Sequence, residues 1–385
     1  MFILKLLVKN ALRHRLRTLL TIMGITIALL SFGLLRTVVT AWYAGVNASS
    51  ANRLVTRNSI SLVFSLPVSY TERIKKVEGI KGISYASWFG GIYINEKNFF
   101  PNFAIEPSSY FDQYPEFVLP ADQKKAFIND RKGCVAGRRL AERYGWKIGD
   151  NITLKGTIYP GNWEFVLRGI YEGADKSTDE GQFFFHWNYL NETLRKTVPR
   201  RADQAGVFII SVKNPQVAAE TSLAVDALFK NSLAETLTET EKAFQLSFVS
   251  MTEAIVIAIQ IVSFVVIFII MAVVANTMAM TARERIGEYA IFKAMGFRSW
   301  HIAGIIFGES LCITMAGCIL GSALTYPVAW KFGQVMERFF PIFHVDNNTL
   351  LLDLLFSLLI GIVAAVFPAW RAINIKIADG LRRIG

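Results

Sequence analysis

Four stretches of this chain carry apolar residues without the alternation of a half-buried strand or the three-to-four spacing of a surface helix. They run from Thr18 to about Ala44, from about Ala254 to Thr281, from about His301 to Tyr326 and from about Leu350 to Trp370. Each matches the roughly 20 residues that a helix needs to cross a bilayer core. The pattern predicts four transmembrane helices. Between the first two lie roughly 200 mostly polar residues, enough for one folded domain. Residues 327–349 read as a short loop, and 371–385 as a tail.

Inside the long polar segment the period changes. Ser59 to Phe64 reads as a strand, Ser69 to Val77 as a helix, and Ile83 to Asn95 as one or two further strands. The pattern recurs before the second apolar run, where Gly206 to Val212 alternates like a strand and Pro215 opens a helix. The two halves, about 58–95 and 206–231, read as β-α-β units of one sheet domain. Residues 97–204, rich in Gly, Pro and aromatics, read as an inserted subdomain. Ser232 to Glu253 keeps strong helix formers with no Gly or Pro to stop them, so the second membrane helix is expected to project outward as a continuous stalk.

Composition fits this picture. The chain of 385 residues is 52% hydrophobic and only 18% charged, with a mean hydropathy of +0.36. The net charge of +11 matters through its placement. Lys5, Lys9, Arg13, Arg15 and Arg17 precede the first run; Arg283, Arg285, Lys293 and Arg298 separate the second and third; Arg371, Lys376, Arg382 and Arg383 follow the fourth. All three clusters fall on one side of a four-span chain. The positive-inside rule makes that side the cytoplasm, with both termini inside and the large domain outside. No recognition motif accompanies the charge, which speaks against nucleic acid. Lys5, Lys9, Arg13 and Arg17, spaced by four, predict a basic helix over residues 1–17 lying in the membrane interface among lipid headgroups.

Candidate chemistry is sparse. Cys134 stands alone in the polar domain, and Cys312 and Cys318 lie in the third run, so a disulfide framework is not expected. The histidines His14, His186, His301 and His344 have no metal-ligand spacing. No nucleophile elbow and no H-E-x-x-H occurs, and the acidic group Asp175, Asp179 and Glu180 reads as a solvated loop. Two polar residues interrupt the apolar runs at similar computed depth, Glu309 on the third and Asn276 on the second. An acid within hydrocarbon marks a paired or functional site, and the expectation is a hydrogen bond for Glu309 inside the bundle, with Asn276 within reach. Gly304 and Gly308, then Gly317 and Gly321, form two G-x-x-x-G pairs suited to close helix packing.

The segment between the second and third runs, 282–300, is longer than a turn requires. It predicts a short helix from about Arg285 to Met295, stopped by Gly296. Here the sequence resembles the MacB/FtsX-like permeases, the type VII ABC exporters, whose loop commonly reads E-R-x-x-E-I-A-x-x-K-A-x-G-F. Glu284, Arg285, Glu288, Ala290, Lys293, Ala294, Gly296 and Phe297 stand at matching positions, while Gly287 and Tyr289 depart from it. Leu6 to Ala28, Val135 to Gly156 and Phe367 to Arg382 resemble other segments of the same family.

The resemblance implies a non-catalytic permease subunit in the bacterial inner membrane. Arg283, Glu284, Arg285, Glu288, Tyr289, Lys293, Ala294, Gly296 and Phe297 would contact a cytoplasmic ATPase. That ATPase is expected to be a separate chain holding ATP and Mg, since no G-x-x-x-x-G-K-[ST] loop occurs among these residues. The resemblance further implies a homodimer or paralogous heterodimer, mechanotransmission to the periplasmic domain, and export or lipid and lipoprotein trafficking with a periplasmic adaptor. The alternative is a division-type regulator of a cell-wall hydrolase. No cofactor or metal is expected on this chain.

Overall fold

The computed structural model describes residues 13–175, 177–336, 340 and 342–374. The chain forms two compact units, a helical one and a sheet domain built chiefly from residues 43–251. Lys5 and Lys9, and with them most of the expected interfacial helix, lie outside the described residues.

Among the described residues, four helices are long and apolar enough to span a membrane: Arg15–Trp42, Glu253–Glu284, Ser299–Met336 and Asn347–Ile373. The third pairs with the first and fourth, and so does the second. Their shared core is aliphatic, with Ile25, Leu29, Val274, Ile302, Ile306 and Ile360 almost fully buried. Phe32 adds an edge-to-face contact with Phe356 at 5.0 Å.

The third helix corrects the sequence reading. It does not end before Pro327 but continues to Met336, and so takes up much of the expected loop. Proline removes a single helical hydrogen bond, which a helix of 38 residues tolerates.

Small residues allow the close approach. A Cβ on Gly317 would stand 2.6 Å from Ile25 Cγ2, and one on Gly321 would stand 3.1 Å from both the Leu29 side chain and the Thr26 carbonyl. Ser310 Oγ on the third helix donates to the Gly361 carbonyl on the fourth at 2.8 Å. The first glycine pair differs, because Gly304 faces open space within the chain and Gly308 is half-buried. We therefore expect Gly317→Leu to destabilise the bundle by about 1–3 kcal/mol through overpacking. Gly304→Ala should be neutral or stabilising, and thermal unfolding of the purified full chain would check both.

The second unit holds an eleven-stranded sheet among the described residues. Its first part joins the two halves expected from sequence. β1 (Arg53–Asn58) leads through a short helix, Tyr70–Ile74, to β3 (Ile80–Trp88). β12 (Val207–Val212) leads through Ala218–Leu228 to β13 (Thr236–Thr240). The halves interleave in the order β13, β1, β12, β3, all antiparallel to their neighbours. Leu54, Ile83, Phe208 and Ile210 point to one face and pack with Ile74, Val225 and Phe229 of the two helices.

Three boundaries differ from expectation. The strand expected at Ser59 to Phe64 lies earlier, at 53–58, because side chains terminate the ladder: Asn58 Oδ1 accepts from the Ile60 amide at 3.0 Å and Ser61 Oγ from the Val63 amide at 3.2 Å. Ile60 and Val63 are left exposed.

The continuous stalk over Ser232 to Glu253 is also absent. Thr236, Thr238 and Thr240 alternate as a β-branched ladder on β1, fixed by Asp226, whose carboxylate accepts from the Thr236 and Thr238 hydroxyls at 2.8 and 2.7 Å. Thr240 then caps a separate helix, Glu241–Ser250, by accepting from the Ala243 amide. That helix ends at Ser250, and the membrane helix starts afresh at Glu253.

Finally, the segment 97–204 is no separate subdomain. β5 (Asn102–Ile105) pairs with β3, β10 (Phe183–His186) with β5, and the same sheet runs on to its end. Phe183, Phe184 and Phe185 are buried on both of its faces.

A buried arginine joins these parts. Arg53, at the start of β1, is only 4% exposed. Its guanidinium donates to Glu116 Oε1 at 2.5 Å, to Glu241 Oε2 at 2.9 Å and to the Gln113 carbonyl at 2.7 Å. It lies 3.9 Å from the Tyr114 ring centroid. Burial opposes its charge, but the bond to Glu116 and the neighbouring Tyr114 and Glu241 outweigh that, so its pKa rises above the ordinary value. Burial likewise pushes the Tyr110 and Tyr114 phenols up.

Candidate functional site

The segment between the second and third membrane helices carries the helix Ile286–Ala294, closed by Gly296 in the left-handed region at φ 91°. The Phe297 amide bonds back to the Phe292 carbonyl at 3.0 Å, and the chain re-enters a helix at Ser299. The nine candidate coupling residues lie here or in the last turn of the second membrane helix, and the structure divides them.

One group faces inward. Tyr289 and Ala290 are fully buried and Ile286 nearly so. Arg285, 4% exposed, donates through Nη1 to Glu309 Oε2 at 2.7 Å and through Nε to Glu288 Oε2 at 2.9 Å. Glu309 is 3% exposed. The intramembrane acid thus meets an arginine from the loop, 24 positions earlier. Asn276, the partner considered from depth, is exposed on its helix.

The acids of the loop are engaged by the basic start of the first helix. Arg17 grips Glu284 with both terminal nitrogens, at 2.8 and 2.7 Å, a bidentate pairing. His14 lies 3.5 Å from the same carboxylate, and Arg13 pairs with Glu288. Arg13 and Arg17, expected in the basic interfacial helix, pair with the carboxylates of the loop. Lys293 donates to the Ile373 carbonyl at the end of the fourth helix. The first, third and fourth helices therefore converge on the short segment that follows the second.

The other group faces outward. Arg283, Ala294, Gly296 and Phe297 are exposed. With them stand Ile291, Met295 at 60% and Trp300 at 65% exposure, which the sequence reading did not single out. Their signal lay in the sequence, as apolar residues in a loop that needs none.

A second omission is Asp353 on the fourth helix. It is fully buried, with Ser322 Oγ 3.5 Å from its Oδ2 and no partner at Oδ1. Its signal in the sequence is the same as that of Glu309, an acid inside an apolar run. Among the described residues no group of His, Cys, Asp or Glu is arranged to hold a metal.

Four membrane helices, a sheet domain between the first two and a braced loop helix between the second and third define a polytopic membrane permease. The chain belongs to the MacB/FtsX-like family of ABC transporter permeases: residues 18–228 match the MacB-like periplasmic core domain and residues 260–377 the FtsX-like permease C-terminal domain. It is 24% identical over 400 residues to an uncharacterised ABC transporter permease of Methanocaldococcus jannaschii, covering 97% of this chain and 96% of that protein. It is 30% identical over 110 residues to the macrolide export ATP-binding/permease protein MacB of Pectobacterium atrosepticum, where the match covers 29% of this chain and only 17% of MacB. Among solved structures, the periplasmic region of MacB from Actinobacillus actinomycetemcomitans aligns with 53% of this chain and 95% of that one, at 10% identity and a TM-score of 0.38. The extracellular domain of the ABC-type transporter YknZ aligns with 49% of this chain and all of that one, at 11% identity and a TM-score of 0.37.

Proposed function

We propose that this chain is the non-catalytic membrane subunit of an ABC transporter in the cytoplasmic membrane, coupling ATP hydrolysis on a partner ATPase to movement of its outer domain. ATP and Mg belong to the partner. One observation carries the reading: Glu284, Arg285 and Glu288 around the start of the loop helix are spent inside the chain, on Arg17, Glu309 and Arg13, while Ile291, Met295, Phe297 and Trp300 are left uncovered. An apolar patch rimmed by polar groups marks a protein interface. The bracing makes the patch a rigid lever head, because a push on it is passed to the Arg285–Glu309 pair and to the Lys293 contact.

The sheet domain follows the first membrane helix and precedes the second along the chain, so motion of either helix acts on a chain end of that domain. Export, or movement of lipids and lipoproteins, by two such permease chains with a periplasmic adaptor is the activity that best uses this. A disrupted docking face provides the test. Met295→Asp with Trp300→Asp places charges on residues that are already solvent-facing, so the fold should survive. We expect the ATPase that co-purifies with the wild-type chain to be lost, and its stimulation by the permease to fall at least about tenfold, the equivalent of one or two lost apolar anchors. Retention of the ATPase at full stimulation would reject the reading.

A further inference from the structure

The sheet of the outer domain is apolar on both faces, and helices cover the second of them only in part. Opposite the face packed by Tyr70–Ile74 and Ala218–Leu228, the residues Val55, Ala86, Phe103, Val207 and Ile209 line a cavity of about 880 Å³. Strands with two apolar faces are built to be buried on both sides. Here the second face is roofed in part by the helices Tyr110–Gln113 and Glu241–Ser250, and in part by the loop that carries Leu62 and Val63. Val63 is 86% exposed, Phe248 42% and Trp88 41%.

The charged groups that line this cavity are engaged within the domain. Arg53 is paired with Glu116 and Glu241, and Asp179 with Arg139. Arg201 donates to the Ile158 carbonyl and lies over the Tyr159 ring, while Asp175 accepts from the Ser177 and Thr178 hydroxyls. An ionic ligand would find these groups engaged, whereas aromatic and aliphatic walls suit an apolar one. The volume falls in the range of small-molecule pockets, roughly 300–1,000 Å³.

Two of the walls adjoin membrane helices in sequence. Gly45 and Ala48 line the cavity just after the first membrane helix ends at Trp42, and Phe244 and Phe248 line it just before the second begins at Glu253. Three residues of extended chain reach no more than about 11 Å, so at least one wall starts within that distance of a membrane helix.

We infer that this cavity binds the acyl chain of a membrane amphiphile, with the headgroup left at the mouth beside Leu62 and Val63. The inference rests on the trafficking reading only for the direction in which such a molecule would travel; binding itself needs only the cavity and its place in the chain.

The experiment uses the full chain in lipid nanodiscs with a lysophospholipid carrying a photoactivatable group at the end of its acyl chain. After irradiation, peptides containing Phe103, Tyr114 or Phe244 should be labelled in addition to the membrane helices. Phe248→Glu should lower that labelling about tenfold, as expected when roughly 1.4 kcal/mol of binding is lost. Val63→Glu alters a solvent-facing side chain, so it should keep the wild-type unfolding temperature while also lowering the labelling. Labelling confined to the membrane helices overturns the inference, and so does cavity labelling unchanged by Val63→Glu in a folded protein. Met295→Asp with Trp300→Asp should leave cavity labelling intact, so failure of ATPase coupling and failure of amphiphile binding are read separately.

Discussion

Replacing Glu309 by alanine will leave the Arg285 guanidinium buried against a core that cannot solvate it, and the membrane unit is expected to lose about 3–5 kcal/mol. The pair is almost fully buried at both ends, and Arg285 also anchors Glu288 on the loop helix. Removing one partner of such a pair exposes the full desolvation cost of the other. Arg285→Met should cost about as much, since Glu309 is then stranded in turn. Combining Arg285→Met with Glu309→Leu should recover much of the stability, because a matched apolar pair in a buried site is often no worse than the ion pair. The double variant should still stimulate a partner ATPase poorly, as the loop helix has lost its link to the third membrane helix. Thermal unfolding in nanodiscs measures the first effect and ATPase stimulation the second. If all three variants unfold at the wild-type temperature, the pair does not hold the segment.

Arg53→Ala is expected to have an effect of similar size on the outer domain, about 3–5 kcal/mol. Glu241 is 6% exposed and would be left as a buried carboxylate facing Glu116 with no cation between them. The Gln113 carbonyl would lose its donor as well. Arg53→Lys should rescue only a minor part, because a single ammonium cannot reach two carboxylates and a carbonyl in the fixed directions of a guanidinium, nor stack on Tyr114 in the same way. Unfolding of the full chain followed by near-ultraviolet circular dichroism reads this directly, given how many aromatic rings the domain buries.

The membrane architecture was legible because the bilayer imposes a constraint on every residue of a span, and an apolar run of that length has few other uses. The coupling segment was legible as an element for the same reason in reverse, being too long for a turn. Its internal wiring was not. Arg285 stands three positions before Glu288 on the helix and pairs with it, but its bond to Glu309 needs the third helix to return past it, and spacing along the chain carries no record of that. The spacing of Arg13 and Arg17 predicts an interfacial helix, and a basic side chain beside an apolar run fits that place whether it meets lipid or a carboxylate.

In the outer domain the alternating segments were found where alternation was clean, as at Val207–Val212. They were misplaced where a strand ends on a side-chain turn, as at Asn58. The stretch Ser232 to Glu253 failed for a different reason: residue-by-residue helix preference is weak, and pairing of the threonine ladder with β1 overrode it.

One property of the outer domain limits how it can be trimmed. Because the middle third of the chain continues the sheet at β3 instead of folding apart, excising residues 97–204 would strip a neighbour from β3 and leave a row of bare amides and carbonyls there. Such a raw border recruits other chains. A minimal version of this protein would therefore need a substitute capping strand or a charged fringe along that border, and shortening the loops alone would not make it soluble.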